Sequence, residues 1–461
     1  MGTQGLLRTA AVLISLTSTL ACDRTPQVSN SQHAPGIQRV VSSSPAWLVR
    51  DKTASALWKT ERQFYDARHD LPAWIDGDKA SPRFDALLDA LKHSEDHGFD
   101  PARYGTDKFE QLAAAAKQNK GTFELAKIPE IDARLTYAYL RYAADLLGWS
   151  ANPKDVYENW VAVPNKADLV AQLNSAVSSG KVAQSLDELA PSHPQYKGLM
   201  AALQKERQMP TGHLDQIRMN LQRWRWMPRD LGDRYVFVNV PAYQMQVMEG
   251  DKPALAMRVV VGDPKHQTPL FDDEMTTVVF SPNWNVPESI IRKEMVPKLV
   301  NDPDYLQRQD IEVVGTSGEA IDAEGVDWND PSAVSALHFR QEPGPKNALG
   351  LVKFLFPNQF DVYLHDTPQD ALFNKQRRAL SHGCIRLENP VALAQYVLRD
   401  RPEWTMEKIA TAMNAGREQG VPLKEHLPVH IAYFTSWVNP DGSVTYTDDP
   451  YQLDAKQKTL L

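Results

Sequence analysis

Two hydrophobic periodicities divide the chain. From Trp47 to about Met209 apolar residues recur three and four apart, as in Phe84, Leu87, Leu88 and Leu91 and again in Leu135, Tyr139, Tyr142 and Leu146, the spacing that aligns one face of an α-helix. Ser81-Pro82 reads as an N-cap with Pro at the first helical position, and Gly98 and Gly148 as helix stops. Trp58, Phe64, Tyr65 and Trp74 are expected in the core of this helical part. After a helix around Leu214 to Trp226 the period becomes two. Tyr235–Val240, Tyr243–Val247, Leu255–Val261, Thr277–Phe280, Leu351–Phe356 and Asp361–Leu364 are short β-branched or aromatic runs bounded by Gly, Pro, Asn and Asp, which predicts a mainly antiparallel β domain. Between Pro287 and Gly350 lies an insert of about sixty residues, with a helix expected from Glu288 to Val300; a piece that long between strands points to a lid. Asn389-Pro390 opens another helix through Leu398, and a hairpin, His430–Val438 with Ser443–Thr447 around Asn439-Pro-Asp-Gly442, closes the chain.

The expected fold class is therefore α+β. Its parts are a signal segment at 1–21, a flexible tether at 22–46, a helical domain at 47–230 and a β domain at 231–404 with its insert at 288–349. The remainder, 405–461, is expected to pack a helix and hairpin on the helical part. The 461 residues are 42% apolar and 23% charged, with a mean hydropathy of -0.44, which excludes a polytopic membrane protein. Fifty Lys and Arg against 58 Asp and Glu give a net charge of -8. No basic surplus is left to neutralise a phosphate backbone, so nucleic acid is not an expected partner.

The first residues bear on compartment. Met1–Ala21 carries one basic residue, Arg8, and then an uncharged, mostly apolar run to Ala21, the shape of a secretory signal. Cys22, directly after Thr19-Leu20-Ala21, resembles the lipidated cysteine of bacterial lipoproteins and would attach the chain to a membrane; Asp23 resembles an inner-membrane retention signal. The Ser-, Pro- and Gln-rich run that follows reads as the tether. The chain has two cysteines. With Cys22 lipidated or removed, Cys384 is a lone thiol in an oxidising compartment and a candidate nucleophile.

The chemistry gathers in one stretch. Tyr363-Leu-His365-Asp366 and Arg378-Ala-Leu-Ser381-His382-Gly383-Cys384-Ile-Arg386 join a strand-end histidine to a cysteine nineteen residues later. A thiol is mostly protonated at neutral pH, and a neighbouring imidazole can take its proton to form a thiolate–imidazolium pair. Gly383 permits a sharp turn before the cysteine, so that nearby amides can face an oxyanion. His382 competes as the base, but His365, arriving from another strand, is favoured.

These residues resemble a known signature. His365, fifteen intervening residues, then Ser381-His382-Gly383-Cys384 with Arg386 beyond, is similar to the motif of L,D-transpeptidases with the YkuD-type catalytic domain. Leu221-Gln-Arg-Trp-Arg-Trp226, Val238-Asn-Val-Pro241, Arg258-Val-Val-Val-Gly262, Asn283-Trp-Asn-Val-Pro287 and Pro343-Gly-Pro-Lys-Asn347 resemble the long periplasmic YcbB-like branch. The resemblance implies a helical scaffold domain, the L,D-transpeptidase fold and a capping subdomain made by the insert. A departure is that the branch's separate peptidoglycan-binding module finds no counterpart in the short stretch between Tyr196 and His213.

The resemblance further implies an acyl transfer between peptidoglycan stem peptides. Cys384 would attack the carbonyl before the terminal D-alanine of a donor tetrapeptide, and a diamino-acid amine of a second stem would resolve the acyl-enzyme into a 3,3 crosslink. His365 would be the base, oriented by the backbone carbonyl of Asp366. Backbone amides of Gly383 and Cys384, with His382, would form the oxyanion hole. Arg386 would bind a substrate carboxylate or brace the loop, Tyr363 and Trp284 would be pocket walls, and Ser381 and Asp366 complete the expected substrate-contacting set. No cofactor or metal is implied, and carbapenems are expected inhibitors. The same site could serve an L,D-carboxypeptidase, with water as acceptor, and a non-catalytic peptidoglycan-binding lipoprotein is a further alternative. Zinc ligation by His365, His382 and Cys384 lacks a fourth ligand. His69, His93, His97, His266 and His338 are expected at the surface or satisfied in the core.

Overall fold

The computed structural model describes residues 28–48, 53–302, 304–315 and 317–460; the expected signal segment and Cys22 lie outside them. The helical part runs through α1 (Ala34–Val41), α2 (Ala54–Ala67), α3 (Pro82–Lys92), α4 (Thr106–Gln118), α5 (Ile128–Leu146) and α6 (Leu169–Ser179). α1, α2 and α3 pack on α5, which is buried along most of its length. Its Asp132 carboxylate, fully enclosed, accepts hydrogen bonds from the backbone N–H of Ala73 (2.8 Å) and Trp74 (2.9 Å) and from Tyr65 Oη (2.7 Å). A buried polar group is tolerated because its acceptors are filled, and these bonds pin the 73–74 turn and α2 to α5. Phe64, Tyr65 and Trp74 are buried, whereas Trp58 is half-buried and packs edge-on against Trp47.

The tether reading of 22–46 is corrected for its second half. Ala34–Val41 is a helix that seals Ile37 and Val41 into the scaffold core. Pro35-Gly36 resembles a loop, but Pro is at home in the first helical turn. Gly36 is needed because a Cβ there would stand 2.5 Å from the ring of Pro129 on α5.

Helices α7 (Pro194–Gln208) and α8 (Leu214–Trp226) join the two halves. α8 is buried on nearly all sides, charged residues included. Arg223 donates to Asp454 (2.6 Å) and Gln457 (2.8 Å) near the C-terminus. Arg225 donates to Gln222 and to Tyr196 Oη and lies 4.0 Å from the centroid of the Phe99 ring. Trp224 stacks on Phe434 of the sheet domain, and Trp226 meets Trp160 edge-on. Removing one partner of such an enclosed ion pair costs about 3–5 kcal/mol, so α8 is a rigid joint.

The β domain is a nine-stranded sheet. Its strands are β1 (Arg234–Asn239), β2 (Gln244–Glu249), β3 (Lys252–Gly262), β4 (Phe271–Phe280), β5 (Val352–Leu355), β6 (Leu364–His365), β7 (Ala379–Ser381), β8 (Ile385–Leu387) and β9 (Gln419–Ala432). The order is β7-β3-β8-β6-β5-β4-β9-β1-β2, and a further β2–β3 pairing closes it on itself. Most neighbours are antiparallel; β6–β8, β3–β7 and β1–β9 are parallel. Inside lies a core of Val, Ile, Leu and Phe that includes Val238, Val259, Phe280, Phe354 and Ile385.

Two expectations change here. The segment 405–461 does not simply pack on the scaffold: Gln419–Ala432 is an interior strand, paired with β4 on one side and β1 on the other. Its Pro422 and Pro428 argue against a central strand, but the β4 pairing shifts register between Pro422 and Leu427, which accommodates the missing donors. The expected strand Asp361–Leu364 shrinks to Leu364–His365, because the Asn358 side chain accepts from the Phe360 and Val362 backbone N–H, winding 358–362 into a loop with Asp361 at φ 54°.

The insert is a subdomain with its own core. Trp284–Asn285, His338–Gln341, Ile311–Val314 and Ala320–Ile321 form a four-stranded sheet in that order. Ile291, Met295, Leu299, Val313 and Phe339 pack beneath it. Its helical segment contains a π-turn over Ile291–Met295. Pro297 follows closely and cannot donate to the carbonyl four residues back, which favours a widened turn. At the base, Asn347, almost fully enclosed, donates to the Pro282, Gln341 and Glu342 carbonyls.

Candidate active site

The parallel register of β6 against β8 sets Leu364 opposite Ile385 and His365 opposite Arg386. Cys384 precedes β8 by one residue and so falls level with Tyr363, two residues before His365, a spacing that keeps Cys384 and His365 on one face of the sheet. Both line one cavity of about 650 Å³, walled by the sheet on one side and the capping subdomain on the other. Trp284, Tyr363, Ser381, His382 and Arg386 also line it.

His365 is buried. Its Nδ1 lies 2.5 Å from the Asp366 carbonyl; a carbonyl only accepts, so Nδ1 carries the proton and a neutral ring leaves Nε2 as the acceptor. Burial pulls the imidazole pKa down to about 3; the Arg386 guanidinium adds to that, and the Asp366 and Leu349 carbonyls oppose it. Cys384 is half-buried, and burial pushes its thiol up to about 11, against the opposing pull of the Tyr363 backbone and Arg386. Its Sγ donates weakly to the Asp361 carbonyl at 3.9 Å. Among the described residues no hydrogen bond joins Sγ to the His365 ring. The resting site thus holds a neutral thiol beside a neutral base, whereas the pairing in sequence suggested a thiolate–imidazolium.

The turn before the cysteine is built by exchange of hydrogen bonds. Ser381 Oγ donates to the Cys384 carbonyl (2.5 Å) and accepts from Gly383 N–H (3.2 Å). Thr268 Oγ1 donates to the Gly383 carbonyl (2.8 Å) and accepts from Gly262 N–H (2.9 Å). Gly383 sits at φ 118°, a conformation that side-chain-bearing residues rarely adopt. The Gly383 amide, expected to face an oxyanion, is directed at Ser381 here. Ser381 is itself buried, its hydroxyl engaged in the loop, which makes it a brace and not the substrate contact expected.

The remaining residues sort by geometry. Asp366 does not line the cavity: its carboxylate, which burial raises, accepts from Leu351 N–H (2.8 Å) and Thr367 N–H (2.7 Å), so the substrate-contact reading of it is corrected to a backbone brace. Arg386 Nη1 donates to Gln369 Oε1 (2.6 Å), and no carboxylate among the described residues pairs with it. The Tyr363 ring meets His365 edge-on with centroids 5.7 Å apart. His382 reaches away from the thiol to Glu294 of the capping subdomain (2.5 Å) and lies 4.8 Å, ring to ring, from His266. His266, expected to be ordinary, is therefore a wall of the cavity, as is Lys353, which faces His365 across the β5–β6 register. Neither stands within the signature, so only the pairing of strands reveals them.

Comparison with known proteins places these features. Residues 233–416 match the L,D-transpeptidase catalytic domain, YkuD, and residues 59–203 match a scaffold domain. A provisionally named L,D-transpeptidase of Haemophilus influenzae is 29% identical over 321 residues; the match covers 67% of this chain and 64% of that protein's length. Among solved structures, an L,D-transpeptidase from Mycobacterium smegmatis is 14% identical with a TM-score of 0.20, over 43% of this chain and 58% of that one. L,D-transpeptidase 3 from Mycobacterium tuberculosis, in complex with a faropenem-derived adduct, is 13% identical with a TM-score of 0.20, over 43% and 60%. Scores this low leave the fold to rest on the sheet described above and on the domain matches. His365, Cys384 and the loop between them all fall inside the 233–416 match, and this part of the chain belongs to the L,D-transpeptidase catalytic-domain family, carried behind a helical scaffold domain.

Proposed function

We propose that the protein is a cysteine-dependent peptidoglycan L,D-transpeptidase that forms 3,3 crosslinks. The observation that carries this reading is the shared cavity, lined both by Cys384 and by a His365 whose neutral ring carries its proton on Nδ1 and so leaves Nε2 as the acceptor. Cys384 Sγ attacks the carbonyl before the terminal D-alanine of a tetrapeptide stem. Its proton passes to His365 Nε2 and then to the departing D-alanine amine, leaving a thioester. A side-chain amine of a second stem attacks that thioester, the C–N bond forms as the C–S bond breaks, and the amine's proton returns by way of His365 to the thiol. A neutral base and a neutral thiol suit this sequence, because charge develops only as the acyl group arrives. The cationic Arg386, which pairs with no carboxylate among the described residues, supports contact with a stem carboxylate. The oxyanion would rest on the Cys384 and His382 amides, joined by Gly383 once its bond to Ser381 opens.

Water in place of the amine would make the same site an L,D-carboxypeptidase. The signal-like Met1–Ala21 supports an exported, periplasmic protein, with Cys22 as a lipid-bearing anchor. Incubation of the purified protein with tetrapeptide muropeptides, read by mass spectrometry, tests the function. Crosslinked dimer is expected from the wild type and neither product from Cys384→Ala; tripeptide alone would favour the carboxypeptidase, and an active Cys384→Ala would overturn the mechanism. A carbapenem adduct on Cys384 is the expected covalent probe.

A further inference from the structure

The capping subdomain hangs on two strands at its base, and what holds its other side over the cavity is one contact. At the base, Gln341 and Lys346 bond to residues 308–310; among the described residues, the hydrogen bond between Glu294 and His382 is the one that joins residues 286–340 to the nine-stranded sheet and its loops. A carboxylate accepts, so His382 Nε2–H donates, at 2.5 Å. Glu294 belongs to the π-turn whose Ile291 and Met295 are fixed in the subdomain core. His382 is held from behind by His266, whose Nδ1 lies 3.2 Å from Asp263 Oδ1, and the Asp263 N–H donates to the Ser381 carbonyl at 2.8 Å. A continuous arm thus runs from the β3–β4 turn through the signature loop into the cap, and Glu294, His382 and His266 form one wall of the cavity that holds Cys384.

We propose that Glu294 is a positioning residue: by holding His382 it latches the cap over the Cys384 thioester, excludes water, and so directs the acyl group to an amine. The inference rests on the acyl-transfer reading above. The thioester has two fates, attack by amine to give an amide or by water to give a tripeptide carboxylate, each releasing the thiol. Water outnumbers any amine, so only a closed site favours the first. A cap hinged at its base and latched by a half-exposed contact can open for substrate and close again.

The test compares Glu294→Ala, which removes the acceptor, with Glu294→Gln, whose side-chain oxygen still accepts from His382. With tetrapeptide muropeptides, the tripeptide-to-dimer ratio is expected to rise about tenfold in Glu294→Ala and to stay within about twofold of wild type in Glu294→Gln. Single-turnover acylation by imipenem, which needs no acceptor, is expected to change less than the ratio. Amide hydrogen exchange over 288–299 reads the latch without activity and is expected to quicken in Glu294→Ala alone. An unchanged ratio or unchanged exchange in Glu294→Ala overturns the proposal. A wild-type protein that yields neither product overturns the transpeptidase reading and the water-exclusion role with it, while the exchange result still decides whether the latch exists.

Discussion

At the scale of single residues, the thiol proposed as the nucleophile rests in its protonated form. With the Cys384 pKa near 11, only about one thiol in several thousand is ionised at pH 7.5. A raised thiol pKa means that the thiolate fraction grows as pH rises and levels off only above that value. Labelling of Cys384 by iodoacetamide is therefore expected to accelerate about tenfold per pH unit from pH 7 to 10. A plateau below pH 8 would instead reveal a resting ion pair with His365. His365 moves in the opposite sense: depressed to about 3, it stays a neutral base over the same range, which suits it to receive the proton during the reaction. Burial raises the one group and lowers the other, because it disfavours either charged form; Arg386 opposes the shift at Cys384 and reinforces it at His365.

At the scale of elements, the signature loop is held by a neighbour that sequence leaves silent. Gly262 ends β3, and a Cβ there would stand 2.1 Å from the His266 carbonyl and 2.7 Å from the Thr268 N, both backbone atoms that cannot give way cheaply. Gly262→Ala is expected to displace the 263–268 turn and, through Thr268, the Gly383 carbonyl that Thr268 supports. A displacement of this kind near 1 Å costs on the order of a hundredfold in rate, measurable as slowed acylation by imipenem. Thr268→Val removes only the hydroxyl bridge, so a loss in the same direction but smaller is expected; a wild-type rate in Gly262→Ala would show that the loop does not depend on this turn. The helical elements follow a simpler logic. α3 and α5 bury the residues whose spacing announces them, Phe84, Leu87, Leu88 and Leu91 on one and Leu135, Tyr139, Tyr142 and Leu146 on the other.

At the scale of the whole molecule, the catalytic unit reaches beyond its family match. That match ends at 416, yet β9, 419–432, lies between β4 and β1 in the middle of the sheet. A chain ended after residue 416 is expected to lose cooperative unfolding, because two unpaired interior edges and an open core remain; a sharp thermal transition by circular dichroism, with wild-type midpoint, would refute this. Periodicity of three to four, the Gly383-Cys384 turn and the distance from His365 to Cys384 are local properties, set by bonded geometry and by which faces must avoid water, and they are legible in the chain alone. So was the existence of the insert. What pairs with what was not legible: β9 is masked by its prolines, α1 by Pro35-Gly36, and the contact of Glu294 with His382 spans 88 positions. The protonation states of Cys384 and His365, the bracing roles of Ser381 and Asp366 and the wall formed by His266 arise from burial and from partners brought near by strand register. Those are decided by how the surfaces close on one another, since desolvation and long-range hydrogen bonds exist only once the sheet, the joint helix and the cap have come together.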